Sequence, residues 1–290
     1  MKINNRFLSF LIVFLVYVIA TGVGVSIFCI LPYSLWLNLL IADIVATTLT
    51  FIFSLIFKNS SVYDPYWSVQ PIVILVGFAL FESLNLIKIL VLIIVCLWGV
   101  RLTANWAYTF HSLEHQDWRY SMLKEKTKKF YPLINFLGIH LFPTLVVYLC
   151  TLPAVVLITS DVTGNAFSYI FILVSFLAVI LQGIADCQMH YFKKHRVDEK
   201  FIRIGLWKHS RHPNYLGEIL MWWGVGLSSV FTLQSSWYLL VGAIVNHLMF
   251  LFISIPMADK RQSQKEGFED YKKETNSLCP IKFSCKSKEK

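Results

Sequence analysis

Long apolar runs alternate with short polar segments along most of the chain. A helix needs about 17–25 consecutive apolar residues to cross a bilayer, and eight stretches come close to that length. The third is the weakest, because Glu82 interrupts it and its exit turn is very short. The pattern predicts an all-α protein, a polytopic transmembrane bundle of about eight helices. The predicted spans are residues 8–31, 35–57, 70–87, 89–108, 133–158, 167–190, 216–233 and 237–256.

The first apolar run resembles the hydrophobic part of a signal peptide. It extends from Phe7 to about Leu31, however, which is long enough to span a membrane, and no clear small-residue cleavage site ends it. We therefore interpret it as the first transmembrane helix.

The composition agrees with an integral membrane protein. Apolar residues make up 56% of the chain, charged residues only 15%, and the mean hydropathy is +0.60; soluble domains average roughly a quarter charged residues. The cysteines show neither disulfide nor zinc spacing. His111 and His115 have the four-residue spacing of a metal pair, but no second histidine set matches them, so we predict an interfacial helix and no metal site.

The net charge of +9 raises the question of a nucleic-acid partner. Its distribution argues against one, because the basic residues lie between apolar runs and in the tail. If the N-terminus is cytoplasmic, 24 of the 26 Lys and Arg fall in cytoplasmic segments, in agreement with the positive-inside rule. We predict a multi-pass protein with both termini in the cytoplasm, in the endoplasmic reticulum of a eukaryote or the inner membrane of a bacterium. The cytoplasmic segments are 1–7, 58–69, 109–132, 191–215 and 257–290.

Several ionisable residues are predicted at membrane depth, where each costs about 2.5–3.5 kcal/mol and marks a candidate site. For Asp43 and Glu82 we favour a structural role, and for Asp186 the structural and functional interpretations are evenly balanced. The residues are Asp43, Glu82, Arg101, Asp186 and Glu218.

The segment GLWKHSRHPNYLGEILMWW, residues 205–223, leads from a basic loop into an apolar helix. Pro213 favours a helix start there, so Asn214, Glu218 and Trp222 recur every four residues on one face, with Tyr215 beside them. Lysine, histidine and arginine side chains surround the positive end of this helix, which favours phosphate. An amide and a carboxylate just below suit a cofactor head group such as a carboxamide.

Here the residues resemble a known family. RHPNYLGE (211–218) is similar to the signature of the steroid 5α-reductase C-terminal-domain family, in a little-characterised branch related to the sterol C14 and C7 reductases. The resemblance covers about residues 60–285. It also includes DPYW (64–67), WGVRLTANW (98–106), DWRY (117–120), ADCQ (185–188) and ISIPMADKR…FEDYKK…LCP (253–280).

The resemblance implies two parts, N-terminal transmembrane helices at 1–59 and a reductase-like transmembrane domain with a cytoplasmic tail at 60–290. It further implies that NADPH binds from the cytoplasmic side and reduces a carbon–carbon double bond in a lipid from the bilayer. Asn214 and Glu218 would contact the nicotinamide carboxamide. The other implied cofactor residues are Tyr215, Trp222, Arg211, His212, Arg196, Tyr271, and Asp186 and Gln188 of the ADCQ element.

A reductase of this type also needs a proton donor that polarises the substrate. The family's own substrate-activating tyrosine and glutamate do not align with this chain, so the candidates are Asp64, Tyr66 and Tyr120.

Two other functions stay open at this point. Membrane methyltransferases of the isoprenylcysteine type share an RHPxYxG-like element but bind S-adenosylmethionine, and Asn214 with Glu218 favours the reductase. A non-catalytic membrane protein with a vestigial cofactor pocket is the second alternative. The sequence does not identify the substrate or the oligomeric state.

Overall fold

The computed structural model describes residues 3–198, 200–234 and 236–280. Within these ranges the chain is a helical bundle without β-strands, which confirms the predicted all-α fold. An isolated bridge pairs Ser210 with Asn276. The helices are α1 Arg6–Ile30, α2 Leu35–Phe57, α3 Tyr66–Ala79, α4 Leu86–Thr109, α5 Trp118–Thr127, α6 Tyr131–Ile134, α7 Phe142–Thr159, α8 Ala166–His195, α9 Pro213–Leu233, α10 Val241–Met249, α11 Ile255–Gln262 and α12 Phe268–Glu274.

Seven helical runs in the described residues are long and apolar enough to cross a membrane. Two of them are composite, because π-helical turns at Asn135–Leu141 and Phe250–Ser254 join α6 to α7 and α10 to α11. The composite runs extend over Trp118–Thr159 and Trp237–Gln262. Wide π turns of this kind occur mostly inside longer helices and often near functional sites.

The predicted third span, 70–87, is wrong in its bounds. The helix there is α3, which has 14 residues and is therefore about 21 Å long, shorter than the roughly 30 Å of a bilayer core. It begins directly after Pro65, and it ends before the turn that contains Glu82. Asn85 then starts the next helix, since its side chain accepts a hydrogen bond from the Lys88 amide.

Contacts between helix ends nevertheless show that α3 carries the chain from one end of the bundle to the other. Arg6 donates a hydrogen bond to the Ala107 carbonyl, so the start of α1 and the end of α4 lie together. At the opposite end, Asn85 donates to the Val162 carbonyl. We call the end that holds Arg6, Thr109, His195, His212 and Gln262 the basic end. Its predicted cytoplasmic location stays a prediction.

Helices α8 and α9 pack tightly because glycines on α9 face α8. A Cβ atom on Gly224 would lie 2.1 Å from the Ser175 hydroxyl oxygen, and one on Gly217 would lie 2.4 Å from Cγ of Gln182. Small residues allow such close backbone approach between membrane helices. The Ser175 hydroxyl also donates to the Met221 carbonyl across the same interface. This packing fixes the face of α9 that carries Asn214 and Glu218.

Replacing Gly224 with alanine should therefore separate α8 from α9 and lower stability by about 1–3 kcal/mol, the usual cost of overpacking. Thermal unfolding of the purified protein in detergent measures this loss. Gly183→Ala on α8 is the matched control, because a Cβ atom there meets nothing within 4 Å. Equal melting temperatures for the two variants would contradict this description of the interface.

Candidate functional site

The buried carboxylate of Glu218 lies at the centre of a polar network inside the bundle. The indole nitrogen of Trp98 donates to one of its oxygens at 2.8 Å, and that of Trp222 donates to the other at 3.1 Å. The Arg101 guanidinium lies 3.8 Å from the first oxygen and also pairs with Asp186. The structure therefore brings together three predicted site residues, Glu218, Trp222 and Asp186, and adds two that were not assigned a role, Trp98 and Arg101.

Asn214 lies one turn before Glu218 on α9, and its side-chain oxygen is buried without a hydrogen-bond partner. Buried polar atoms are normally paired, so an orphaned amide oxygen needs an explanation. The Arg101 Nε atom and both polar side-chain atoms of Gln182 are also buried without partners. Tyr215 differs, because its ring stacks on His212 with centroids 5.1 Å apart.

Arg211 and His212 are held by Asp259 of α11. Arg211 donates to one carboxylate oxygen at 3.0 Å, and the His212 ring nitrogen lies 2.9 Å from the other. Arg211 also donates to the carbonyl of Thr275. These two predicted phosphate residues thus tie the start of α9 to the C-terminal segment, and their cofactor role stays a prediction. No feature of the sequence indicated that Asp259, which lies in the IPMADKR element, would be their partner.

Gln188 and Tyr271 lie on either side of the loop Gly205–Lys208. The Gln188 side chain accepts a hydrogen bond from the Leu206 amide at 2.9 Å, and the Tyr271 hydroxyl donates to the Trp207 carbonyl. Burial raises the pKa of Tyr271 to about 12, so its hydroxyl keeps its proton. Gly205 has a φ of 56°, and a Cβ atom there would collide with Gln188. Both residues position the loop that precedes α9.

Arg196 belongs to a cluster of cations at the basic end. Burial lowers the pKa of Lys265, and the nearby charges of Arg196, Arg261 and Lys193 lower it further. The Arg261 guanidinium lies 4.0 Å from the centre of the Trp118 ring. Neighbouring like charges repel each other, so this cation cluster is suited to an anion. Sequence reasoning noted Lys193 and Arg196 but missed Arg261 and Lys265, which follow much later in the chain.

A cavity of about 620 Å³ opens beside the cation cluster, and Arg196 lines it. Its other walls include Phe201 and Arg203, whose guanidinium lies 4.6 Å from the centre of the Phe201 ring. Lys200 pairs with Glu266 across it at 2.5 Å. The cavity therefore offers both an aromatic surface and cations.

The predicted proton donors fall into two groups. The Tyr120 hydroxyl donates to Asp64, and Arg119 lies 4.0 Å from the same carboxylate. Tyr66 instead donates to Asp43 of α2 at 3.1 Å. Asp64 and Tyr120 therefore belong to one hydrogen-bonded group, and Tyr66 belongs to a second one with Asp43.

An apolar cavity of about 240 Å³ lies between α1, α2 and α3, and its polar group consists of Asp43, Tyr66 and Gln70. Gln70 donates to Asp43 at 2.7 Å, while its own side-chain oxygen is buried without a partner. Asp43 had been expected to be structural. Sequence reasoning missed this group because its members are on two helices. The signal that could have found it was the prediction of an ionisable residue, Asp43, at membrane depth.

Metal ligands do not cluster in the described part of the chain: no three His, Cys, Asp or Glu side chains are placed to hold an ion. The rings of His111 and His115 lie 6.2 Å apart, and the Ser112 hydroxyl is within hydrogen-bond distance of His115.

The carboxyl group of Asp64, in the segment between α2 and α3, supplies a pH-dependent prediction. Burial raises its pKa to about 6 from the ordinary 3.8, although Arg119 opposes the shift. The folded protein therefore holds this proton more tightly than the unfolded chain, and stability falls as the pH rises from about 4 to 6. Asp64→Asn should increase stability by on the order of 1–3 kcal/mol at pH 7.5 and by much less at pH 4.5.

Melting temperatures of wild type and variant at both pH values test this prediction. Asp270→Asn, at an exposed position on α12, is the matched control. A stability difference between Asp64→Asn and wild type that stayed the same at both pH values would contradict it.

Comparison with known proteins supplies the family. Residues 50–275 match the model of a family described as protein of unknown function DUF1295. An uncharacterised protein of Schizosaccharomyces pombe, C594.04c, is 28% identical over 193 residues, which cover 57% of this chain and 56% of that protein. The match therefore spans little more than half the length of this relative. No solved structure matches the chain. The family model covers well over half of the chain, which therefore belongs to the DUF1295 family, one of the steroid 5α-reductase-like membrane proteins.

Proposed function

We propose that this protein is a membrane-embedded reductase that uses NADPH to reduce a carbon–carbon double bond in a lipid. The observation that carries the proposal is the buried, unpartnered oxygen of Asn214, one helical turn from Glu218. NADPH, when bound, supplies the hydride. The residues of the chain would hold it, exclude water and manage the accompanying proton.

The polar atoms near the start of α9 fit a nicotinamide carboxamide. That group carries an N–H donor, and the orphaned Asn214 oxygen is a free acceptor. Both oxygens of Glu218 already accept an indole N–H. We therefore assign Glu218 mainly to holding Trp98 and Trp222 in place, with its remaining lone pairs available to the ligand.

The cation cluster fits the phosphates of the same dinucleotide. Lys193, Arg196, Arg261 and Lys265 come from α8, from α11 and from the segment after α11, all at the basic end where α9 also begins. An anion held among them would offset their mutual repulsion. The aromatic wall of the adjoining 620 Å³ cavity, at Phe201, would suit a nucleotide base.

The apolar cavity between α1, α2 and α3 fits the lipid. Exposed residues of its lining, Val25 and Phe81, are on the outside of the bundle, so that a lipid can enter from the bilayer. Trp67 links the cavity to the α9 site, because its ring lies 6.2 Å from Trp98, which in turn lies 4.8 Å from Trp222. These packed indoles exclude water between the two sites, and hydride transfer requires the double bond of the lipid to extend past Trp67 into direct contact with the nicotinamide.

Protons would come from two carboxyl groups, Asp43 in the cavity lining and Asp64 in the segment just before α3. Asp64 has a pKa of about 6, which allows it to take up and release a proton near neutral pH. Tyr120 holds this carboxyl group by its hydrogen bond, and Tyr66 does the same for Asp43 at the polar group of the cavity.

Asn214→Ala should weaken NADPH binding about tenfold or more, since it removes the acceptor assigned to the carboxamide. The measurement is a titration of the purified protein with NADPH, followed by thermal shift or by nicotinamide fluorescence. Asn246→Ala on α10 is the matched control, because this buried asparagine also has an unpartnered side-chain atom and lies outside the proposed site.

Three results would contradict the proposal. Stabilisation by S-adenosylmethionine instead of NADPH would favour a methyltransferase. NADPH binding without oxidation in the presence of any unsaturated lipid would favour a non-catalytic protein. Equal NADPH affinity for Asn214→Ala and wild type would remove the argument from the α9 site.

Gly77→Leu should exclude lipid from the apolar cavity without affecting the dinucleotide site. Gly77 lines the cavity, and a Cβ atom there meets nothing within 4 Å, so a leucine side chain can enter the open space. We expect at least a fivefold loss of co-purifying lipid, measured by native mass spectrometry, with unchanged NADPH affinity. Gly22→Leu on α1 is the control, as its surroundings are equally open and it does not line the cavity. Equal lipid retention by both variants would show that the cavity does not hold lipid.

A further inference from the structure

Four lysines form an exposed strip where α5 leads into the next membrane span. We call Lys124, Lys126, Lys128 and Lys129 the lysine strip; all four are exposed. The segment they occupy contains a single acidic residue, Glu125. In the described part of the chain no carboxylate forms an ion pair with any of the four. Their charge is therefore not neutralised within the fold.

The helix that follows places the strip at the height of lipid headgroups. Leu133 and Leu137 follow Lys129 about one and two turns further along the helical run. The leucines are 55% and 46% exposed. Exposed leucines on a spanning helix face the acyl chains. Lys129, one turn before them, consequently lies where the hydrocarbon ends and the headgroups begin.

Aromatic residues at the same level support this placement. Phe130 is 60% exposed, and the Lys129 ammonium lies 5.3 Å from the centre of its ring. Lys124 similarly lies 6.0 Å from the centre of the Tyr131 ring. Exposed aromatic rings beside lysines are typical of segments that lie in the membrane interface.

We propose that the lysine strip binds the phosphate groups of anionic phospholipids in the leaflet at the basic end. Clusters of basic residues next to a membrane helix attract anionic headgroups, and the attraction adds up over the lysines. The lysine strip is distinct from the cation cluster of the dinucleotide site, and this proposal does not depend on the proposed reductase activity. A soluble phosphate compound shares the same chemistry, but it would not make use of the exposed leucines below the strip.

The test compares the full-length wild type with a lysine-strip variant. Each protein is placed in nanodiscs that contain equal amounts of phosphatidylcholine and phosphatidylglycerol. Native mass spectrometry counts the lipids of each type that remain on the protein after release. The wild type should retain phosphatidylglycerol in preference. In the variant with glutamine at 124, 126, 128 and 129, the preference for phosphatidylglycerol should be at least tenfold lower. In the wild type, 0.5 M salt should weaken the same preference.

The matched control replaces four other exposed lysines with glutamine, Lys208, Lys260, Lys272 and Lys273. It should keep the preference, because it removes the same charge from elsewhere at the basic end. Equal loss in both variants, or no preference in the wild type, would overturn the proposal. Competition by inositol hexakisphosphate without phosphatidylglycerol enrichment would identify a soluble anion as the ligand instead. If the strip variant fails to fold, the salt dependence of the wild type still tests the proposal, since a phosphatidylglycerol preference that 0.5 M salt left unchanged would overturn it.

Discussion

The structure depends on providing hydrogen-bond partners for a carboxyl group inside a membrane bundle. Glu218 is buried, and an unpaired charge at that depth would be costly. Two indole N–H groups donate to it, and the Arg101 guanidinium, which also pairs with Asp186, lies beside it. These partners come from α4, α8 and α9, so the carboxylate fixes the relative positions of three helices. The open acceptor of Asn214 is preserved one turn away because the same network holds α9 rigidly.

The charged groups at the basic end have two different roles. Arg211 and His212 share Asp259 and attach the C-terminal segment to the start of α9. They lie where sequence reasoning expected phosphate contacts, but their hydrogen bonds are directed to the protein. In the described residues the cations of the cation cluster form no such ion pair; they come from the end of α8, from α11 and from the segment after it. Ordering the C-terminal segment thus brings Arg261 and Lys265 to the site, and the site is incomplete without it.

The sequence predicted the helical fold well because long apolar runs have one stable conformation in a membrane. It also predicted that Asn214, Glu218 and Trp222 belong to one helix, α9, along which they follow a four-residue period. It could not predict the Trp98 bond to Glu218 or the group formed by Asp43 with Gln70. Those contacts join helices distant in the chain, and periodicity carries no information about which faces meet. The bounds of α3 were missed because hydropathy does not register the effect of Pro65.

The position of α3, whose bounds were predicted wrongly, also bears on the proposed function. Because α3 begins at Tyr66, the preceding residues run through the protein in an irregular path that includes a 3₁₀ turn at Ser60–Val62. Buried irregular backbone is tolerated where neighbouring groups supply its hydrogen bonds. Here Tyr17 donates to the Val62 carbonyl, and Asn59 donates to the Leu113 carbonyl, so neighbouring segments satisfy the backbone. The same segment carries Asp64, the proton carrier assigned in the proposed reaction.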